Sequence, residues 1–172
     1  MQESAPTSAA TTDLDTIAKA IGLVVLQWGQ AEQSLDLLVA LLWQSFGGKK
    51  HAKKIPIMLE PKIRLIRTCI IAEPQLIAHS AAADELLLRF ETLSALRHDL
   101  IHGAVASIPP IDNAFVFAKL DVKDGFHYHR EVRIGLSEYP RIVKRLVALG
   151  RDANKLVKQV FTVAKQIEPH IK

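Results

Sequence analysis

The sequence predicts a mainly α fold, an up-and-down four-helix bundle with a β-hairpin inserted between the third and fourth helices. Three observations predict it. Apolar residues recur in alternating steps of four and three along two long stretches. Glycine or an X-Pro pair stands where a helical stretch ends. Between about residues 104 and 135 the apolar period shortens toward two, around a single Asp-Gly pair.

Residues 1–12, rich in Ser, Thr, Ala and Pro, read as a disordered tail, and residues 13–172 as one helical domain. The first helix is expected over 13–46. Ile17, Ile21, Val24, Trp28, Ala31, Leu35, Leu38 and Leu42 line one face, and Leu23, Leu26, Leu37 and Leu41 form a second stripe on the other side. A helix apolar on two sides is either central in its bundle or covered by a second subunit. Gly47-Gly48 ends it, and a lysine-rich loop, GGKKHAKK, follows. The second helix is expected over about 61–72, because proline is tolerated in a first turn, and Glu73-Pro74 breaks it. The third runs from about Ala82 to His102 on a stripe of Leu86, Phe90, Leu93 and Leu100, with Gly103 as its C-terminal cap. Ile108-Pro109-Pro110 cannot be helical. Ala114–Val122 and Phe126–Ile134 then read as strands joined by Asp124-Gly125, a strong two-residue hairpin turn. Ser137 is expected to cap the last helix, which reaches about Ile167 on Ile142, Leu146, Leu149, Ala153, Leu156, Val160, Val163 and Ile167.

Composition excludes several classes. The 172 residues are 49% hydrophobic and 23% charged, enough to bury a core. The longest apolar runs, such as Leu37–Trp43, fall far short of a membrane span, which takes about 20 residues. The first residues carry no basic cluster ahead of an apolar stretch, so the expectation is a cytoplasmic protein without a secretory signal. Cys69 is the only cysteine, which excludes an intrachain disulfide and a cysteine-rich zinc site. Charge is uneven. Residues 1–46 hold one lysine against five acids, residues 47–80 seven basic against two acidic, and residues 137–172 eight basic against three acidic. Lys49, Lys50, Lys53 and Lys54 belong to the first basic block. Arg141, Lys144, Arg151, Lys155, Lys158 and Lys165 of the second share one side of the last helix, opposite its apolar stripe. Such blocks suit a polyanion such as RNA, and equally suit solvated helix faces.

The third helix carries the residue that fits least. Arg97 falls in the middle of the apolar stripe. A guanidinium does not lose its proton, and burying it unpaired is costly. It therefore needs an acidic partner, or opens onto a cleft or a subunit interface. Glu32, one turn beyond Trp28, is the best candidate partner, or else simply faces water. His102, five residues after Arg97, sits at the helix end, where the dipole favours an imidazolium. A histidine can shuttle a proton, and a nearby arginine can stabilise charge developing on a phosphate. The bland alternative is an ion pair inside the bundle plus a capping histidine. His98, four residues before His102, projects near it and could assist, as could Asp99, which more often would be a solvated acid. That spacing also suits a metal pair, but no third ligand is in register and no metal or cofactor is expected. Trp28 and Trp43 read as core or interface aromatics rather than base-stacking groups, and His127 and His129 as a surface pair on one face of a strand.

Arg97-His98-Asp99-Leu100-Ile101-His102 resembles the Arg-x4–6-His signature of HEPN domains, the helical "higher eukaryotes and prokaryotes nucleotide-binding" superfamily. As in that family, it closes a late helix of a bundle, and a glycine follows the histidine. The polar residue after the arginine, often Asn in the family, is His98 here. Trp28-Gly-Gln-Ala-Glu32-Gln-Ser-Leu35 resembles the family's first helix, and the likeness spans roughly residues 14–168. The resemblance implies a metal-independent endoribonuclease acting as a toxin or in phage defence. Its site would form at a homodimer interface, with Arg97 and His102 from both subunits, and attack of a ribose 2′-OH on the adjacent phosphate as its chemistry. An antitoxin of the minimal nucleotidyltransferase type is a partner it implies. The family also contains non-catalytic RNA- or protein-binding modules, which leaves a second reading open.

Overall fold

The computed structural model describes residues 8–107 and 111–167, so the expected Ile108-Pro109-Pro110 break lies outside the described residues. The chain is mainly helical, with a small antiparallel sheet. In order come α1 (Ser8–Ser45), α2 (Gly48–His51), α3 (Leu59–Ala72), a 3-10 turn (Pro74–His79) and α4 (Ser80–His102). Strands β1 (Ala104–Val105), β2 (Ala114–Lys123) and β3 (Phe126–Gly135) follow, then a 3-10 turn (Leu136–Glu138) and α5 (Tyr139–Ile167).

Two compact units can be told apart along this chain. One comprises Gln27–Leu93 and the described residues from Leu146 onward. Its core takes Ala31, Leu35, Leu38 and Leu42 from α1, Ile63, Ile66 and Ile70 from α3, Leu87 and Phe90 from α4, and Leu149, Leu156 and Val160 from α5. These are the positions that helical periodicity marks. Trp28 meets Phe90 edge-on with ring centroids 5.8 Å apart, so Trp28 is a core aromatic. Gly150 of α5 lies against Ala31 of α1, where an added Cβ would stand 3.6 Å from the Ala31 backbone, at ordinary contact distance. Lys62 is only 4% exposed, and its ammonium donates to Asp36 at 2.6 Å and Glu32 at 3.4 Å. Cys69 is buried, which pushes its thiol up to about 11.

The other unit comprises the described residues up to Leu26 and Ser94–Arg145. Its core is built by Ile17 and Val24 of α1, Leu100 of α4, Phe115, Phe117 and Ile134 of the sheet, and Tyr139 and Ile142 of α5. The sheet order is β1-β2-β3, antiparallel throughout. Asp124 (φ 52°) and Gly125 (φ 81°) make the left-handed turn that matches the twist of two paired strands, which sets Lys123 opposite Phe126 and Lys119 opposite Arg130.

Several boundaries differ from the sequence reading. Helix α1 begins at Ser8, inside the stretch read as a tail, because alanine-rich residues extend a helix already nucleated farther along. The lysine loop contains the single turn α2, started by Gly47 in the left-handed region (φ 66°). The second helix starts at Leu59 and the third at Ser80, a turn or less earlier than expected. The expected hairpin has a third strand, β1, whose two residues pair with Phe117 and Ala118. Ser137 lies within a 3-10 turn, and Pro140 occupies the first turn of α5 instead. Gly103 does not adopt the left-handed conformation of a capping glycine. It is needed for close approach: a Cβ there would lie 2.6 Å from the Asp99 carbonyl oxygen and 2.8 Å from Phe117 Cβ.

Candidate functional site at the C-terminal end of α4

The last two turns of α4 carry Arg97, His98, Asp99 and His102. Leu93 and Leu100 face the core, which fixes the helix rotation and leaves His98 and His102 exposed on its outer side. Their spacing of four residues brings the imidazoles together, with ring centroids 4.5 Å apart and planes at 51°. Arg97 is half-buried. Its Nε is fully shielded from solvent and has no hydrogen-bond partner among the described residues. A buried donor without an acceptor is rare, and a ligand is one of the few things that explains it. Glu32, the acid expected to pair with Arg97, accepts from Trp28 Nε1 at 2.9 Å and from Lys62.

Asp99 is not the solvated acid expected. Lys119 Nζ donates to its Oδ1 at 2.8 Å, and Arg130 grips both oxygens, at 2.7 and 3.1 Å. Arg130 Nε also donates to Asp121 at 2.7 Å, and Lys119 stands 3.4 Å from the same carboxylate. The Arg130 hydrogen bonds, then those of Lys119, hold the Asp99 carboxyl below the usual carboxylate range against the opposing effect of burial. The network ties β2 and β3 to α4 one turn before His102. Partial desolvation, then the charges of Lys119 and His102, lower the His98 pKa, so this imidazole is neutral at neutral pH. A signal for the network existed in the sequence. The Asp-Gly turn fixes the register, and Lys119, Asp121 and Arg130 then fall on one face of the hairpin.

The basic residues expected to meet RNA are all exposed: Lys49 and Lys50 on α2, Lys53 and Lys54 after it, and Arg141, Lys144, Arg151, Lys155 and Lys158 on α5. Within the second block, Arg151, Lys155 and Lys158 line an open groove of about 420 Å³ with Asn154, Gln159 and Thr162. Arg151 also donates to Asp152 at 3.1 Å. Beside the start of α5, an apolar cavity of about 570 Å³ is lined by Ala20, Leu23, Phe115, Tyr139 and Val143, and neither Arg97 nor His102 contributes to it. Among the described residues no group of three or more His, Cys, Asp or Glu could hold a metal ion. No helix among them is long and apolar enough to cross a membrane.

The class these features define is a mainly helical chain with a small antiparallel sheet, in which an ion-pair network of Asp99, Lys119, Asp121 and Arg130 ties β2 and β3 to the end of α4. No family model, curated protein or solved structure matches the chain.

Proposed function

We propose that this chain is a HEPN-type, metal-independent endoribonuclease, cytoplasmic, and a toxin or phage-defence protein held in check by an antitoxin of the nucleotidyltransferase type. In this reading α1, α3, α4 and α5 form an up-and-down four-helix bundle and β2–β3 is its inserted hairpin. The observation that carries the reading is Arg97, whose buried Nε has no partner among the described residues, five residues before an exposed histidine. An arginine held for structure alone would be paired.

The chemistry is transesterification. The ribose 2′-oxygen attacks the adjacent phosphorus, the bond to the 5′-oxygen breaks, and the products are a 2′,3′-cyclic phosphate and a 5′-hydroxyl. An imidazole accepts the 2′-OH proton, and a protonated group returns one to the leaving oxygen. His102 and His98 are the imidazoles in place for these transfers, and Arg97 stabilises the charge gathering on the phosphate oxygens. The active unit is a homodimer. Leu23, Leu26 and Leu37 of α1 are 47%, 63% and 56% exposed, apolar area that a second subunit would cover.

The test is incubation of purified protein with mixed RNA in EDTA beside His102→Ala and Arg97→Ala, with circular dichroism to monitor folding. Cleavage by the parent and loss in both folded variants is expected. Undiminished cleavage by His102→Ala rejects this site. A non-catalytic RNA-binding module is the second reading, favoured by the basic groove of Arg151, Lys155 and Lys158. Salt-sensitive RNA binding by a protein that never cleaves would select it.

A further inference from the structure

From within α2 to the residue that caps α3, the chain reads Lys49-Lys50-His51-Ala52-Lys53-Lys54-Ile55-Pro56-Ile57-Met58. Its four lysines are exposed. So are its three large apolar residues: Ile55 is 48%, Ile57 82% and Met58 71% exposed. Ile57 is the most exposed large apolar side chain among the described residues. Apolar residues scattered singly over a surface need no explanation, but three within four positions, next to four lysines, do.

The segment is braced at both ends. The Ala52 N–H donates to the Gly48 carbonyl and the Lys62 N–H to the Met58 carbonyl, each at 3.1 Å. Pro56 stiffens the stretch between. Its positive charge is not neutralised locally. No acid occurs between Asp36 and Glu60, and Glu60 is engaged by Arg64 at 2.9 Å. Glu73 lies beside Gly47, but none of the four lysines has an ion-pair partner among the described residues. Next to the segment is an open cavity of about 290 Å³, with His51, Lys54, Arg64 and Thr68 on its walls and no carboxylate.

We propose that this segment docks the protein on an anionic lipid bilayer, with Ile57 and Met58 entering the acyl boundary and Lys49, Lys50, Lys53 and Lys54 meeting the headgroups. Membrane attachment without a spanning helix takes two signals, and both are present: apolar area to bury and a polybasic cluster against acidic lipid. The basic cavity suits one phosphate headgroup. RNA, the other polyanion, fits less well. Bases stack on aromatic rings, and the exposed apolar residues here are aliphatic. A protein partner also fits less well, since lysine is depleted from protein interfaces. The inference is independent of the nuclease reading.

The test uses the full chain with vesicles of phosphatidylcholine, alone or with one-third phosphatidylserine. Cosedimentation should show binding to the acidic vesicles only, weakened by salt. Lys53→Gln with Lys54→Gln should weaken it about 30-fold, as the loss of two lysines near an acidic surface requires. Ile57→Ser with Met58→Ser should weaken it roughly tenfold or more at unchanged charge. Lys19→Gln with Lys123→Gln, an equal loss of charge at exposed positions outside the segment, should bind as the parent does. Circular dichroism checks that each variant folds. Insertion is read separately. Cys69, the only cysteine, is buried, so Ile57→Cys offers an accessible thiol for an environment-sensitive fluorophore. Its emission should shift to the blue on acidic vesicles, and that of the same fluorophore on exposed Val122→Cys should not. A parent that ignores acidic vesicles overturns the proposal. So does an equal loss in the Lys19 and Lys123 pair, full binding by the serine pair, or a fluorophore on Ile57→Cys that stays in water. RNA binding that depends on Lys53 and Lys54, without vesicle binding, overturns it in favour of RNA.

Discussion

Gly103→Ala is the most sensitive perturbation of the α4 end. An added Cβ would stand 2.6 Å from the Asp99 carbonyl oxygen and 2.8 Å from Phe117 Cβ. Carbon atoms in favourable contact are about 3.5–4.0 Å apart, so the overlap with Phe117 is roughly 0.7 Å or more. Neither neighbour yields easily. The Asp99 carbonyl accepts the Gly103 N–H at 3.0 Å, and Phe117 is fully buried in β2. Overpacking of this kind costs about 1–3 kcal/mol, and the rigid neighbours place it near the upper end. The loss of glycine freedom in the unfolded chain offsets about 0.4–1 kcal/mol. The net is a destabilisation of about 2 kcal/mol, or a Tm lowered by about 4–8 °C in a chain of this size. The matched control is Gly29→Ala. Gly29 lies in the interior of α1 with nothing within 4 Å of a built Cβ, so alanine should stabilise by about 0.5–1 kcal/mol. Differential scanning calorimetry of parent and both variants reads the two signs. A Gly103→Ala protein melting at or above the parent refutes the packing argument.

The Asp99 network makes stability depend on pH. Its folded-state pKa lies below the ordinary value, so its contribution is complete at neutral pH and is lost as pH falls through about 4 toward that lower pKa. Asp99→Asn should therefore melt below the parent at pH 7, and the gap should narrow steadily below about pH 4; a gap independent of pH contradicts the assignment. In the other unit, Lys62→Met leaves Glu32 and Asp36 partly hydrated, whereas Glu32→Leu removes an acceptor from buried Lys62 and from Trp28 Nε1. Urea denaturation should show Glu32→Leu to be the more damaging by at least about 1 kcal/mol, and the reverse order rejects it.

What the sequence made legible has a physical pattern. The long helices could be read because a buried face must repeat every 3.6 residues, and Ile17, Val24, Leu35 and Leu42 are buried as that period requires. The hairpin could be read because Asp124-Gly125 suits a turn with two positive φ angles. β1 could not, since two residues have no period. The start of α1 could not, since a helix extends cheaply from a nucleus and needs no buried face to do so. Asp99 was misread for a related reason. Its helical neighbours say nothing of a partner on β2 or β3, and only the register of a separate element brings Lys119 and Arg130 to it.

Arg97 shows where sequence reasoning reaches furthest. Periodicity alone placed a guanidinium in a core stripe and required an explanation for it. Glu32 was the nearest acid by pattern, but its oxygens receive Trp28 and Lys62, the second of which could not be foreseen without the packing of α3. The requirement that Arg97 find a partner therefore stands. A buried Nε without an acceptor is a larger anomaly than an exposed one, because the missing hydrogen bond is not replaced by water. Arg97→Met separates the two remaining accounts. If Nε awaits an anion, removing it should relieve an unsatisfied donor, so the folded protein should be at least as stable as the parent while losing RNA cleavage. If Arg97 instead holds the helix in place, stability and cleavage should fall together.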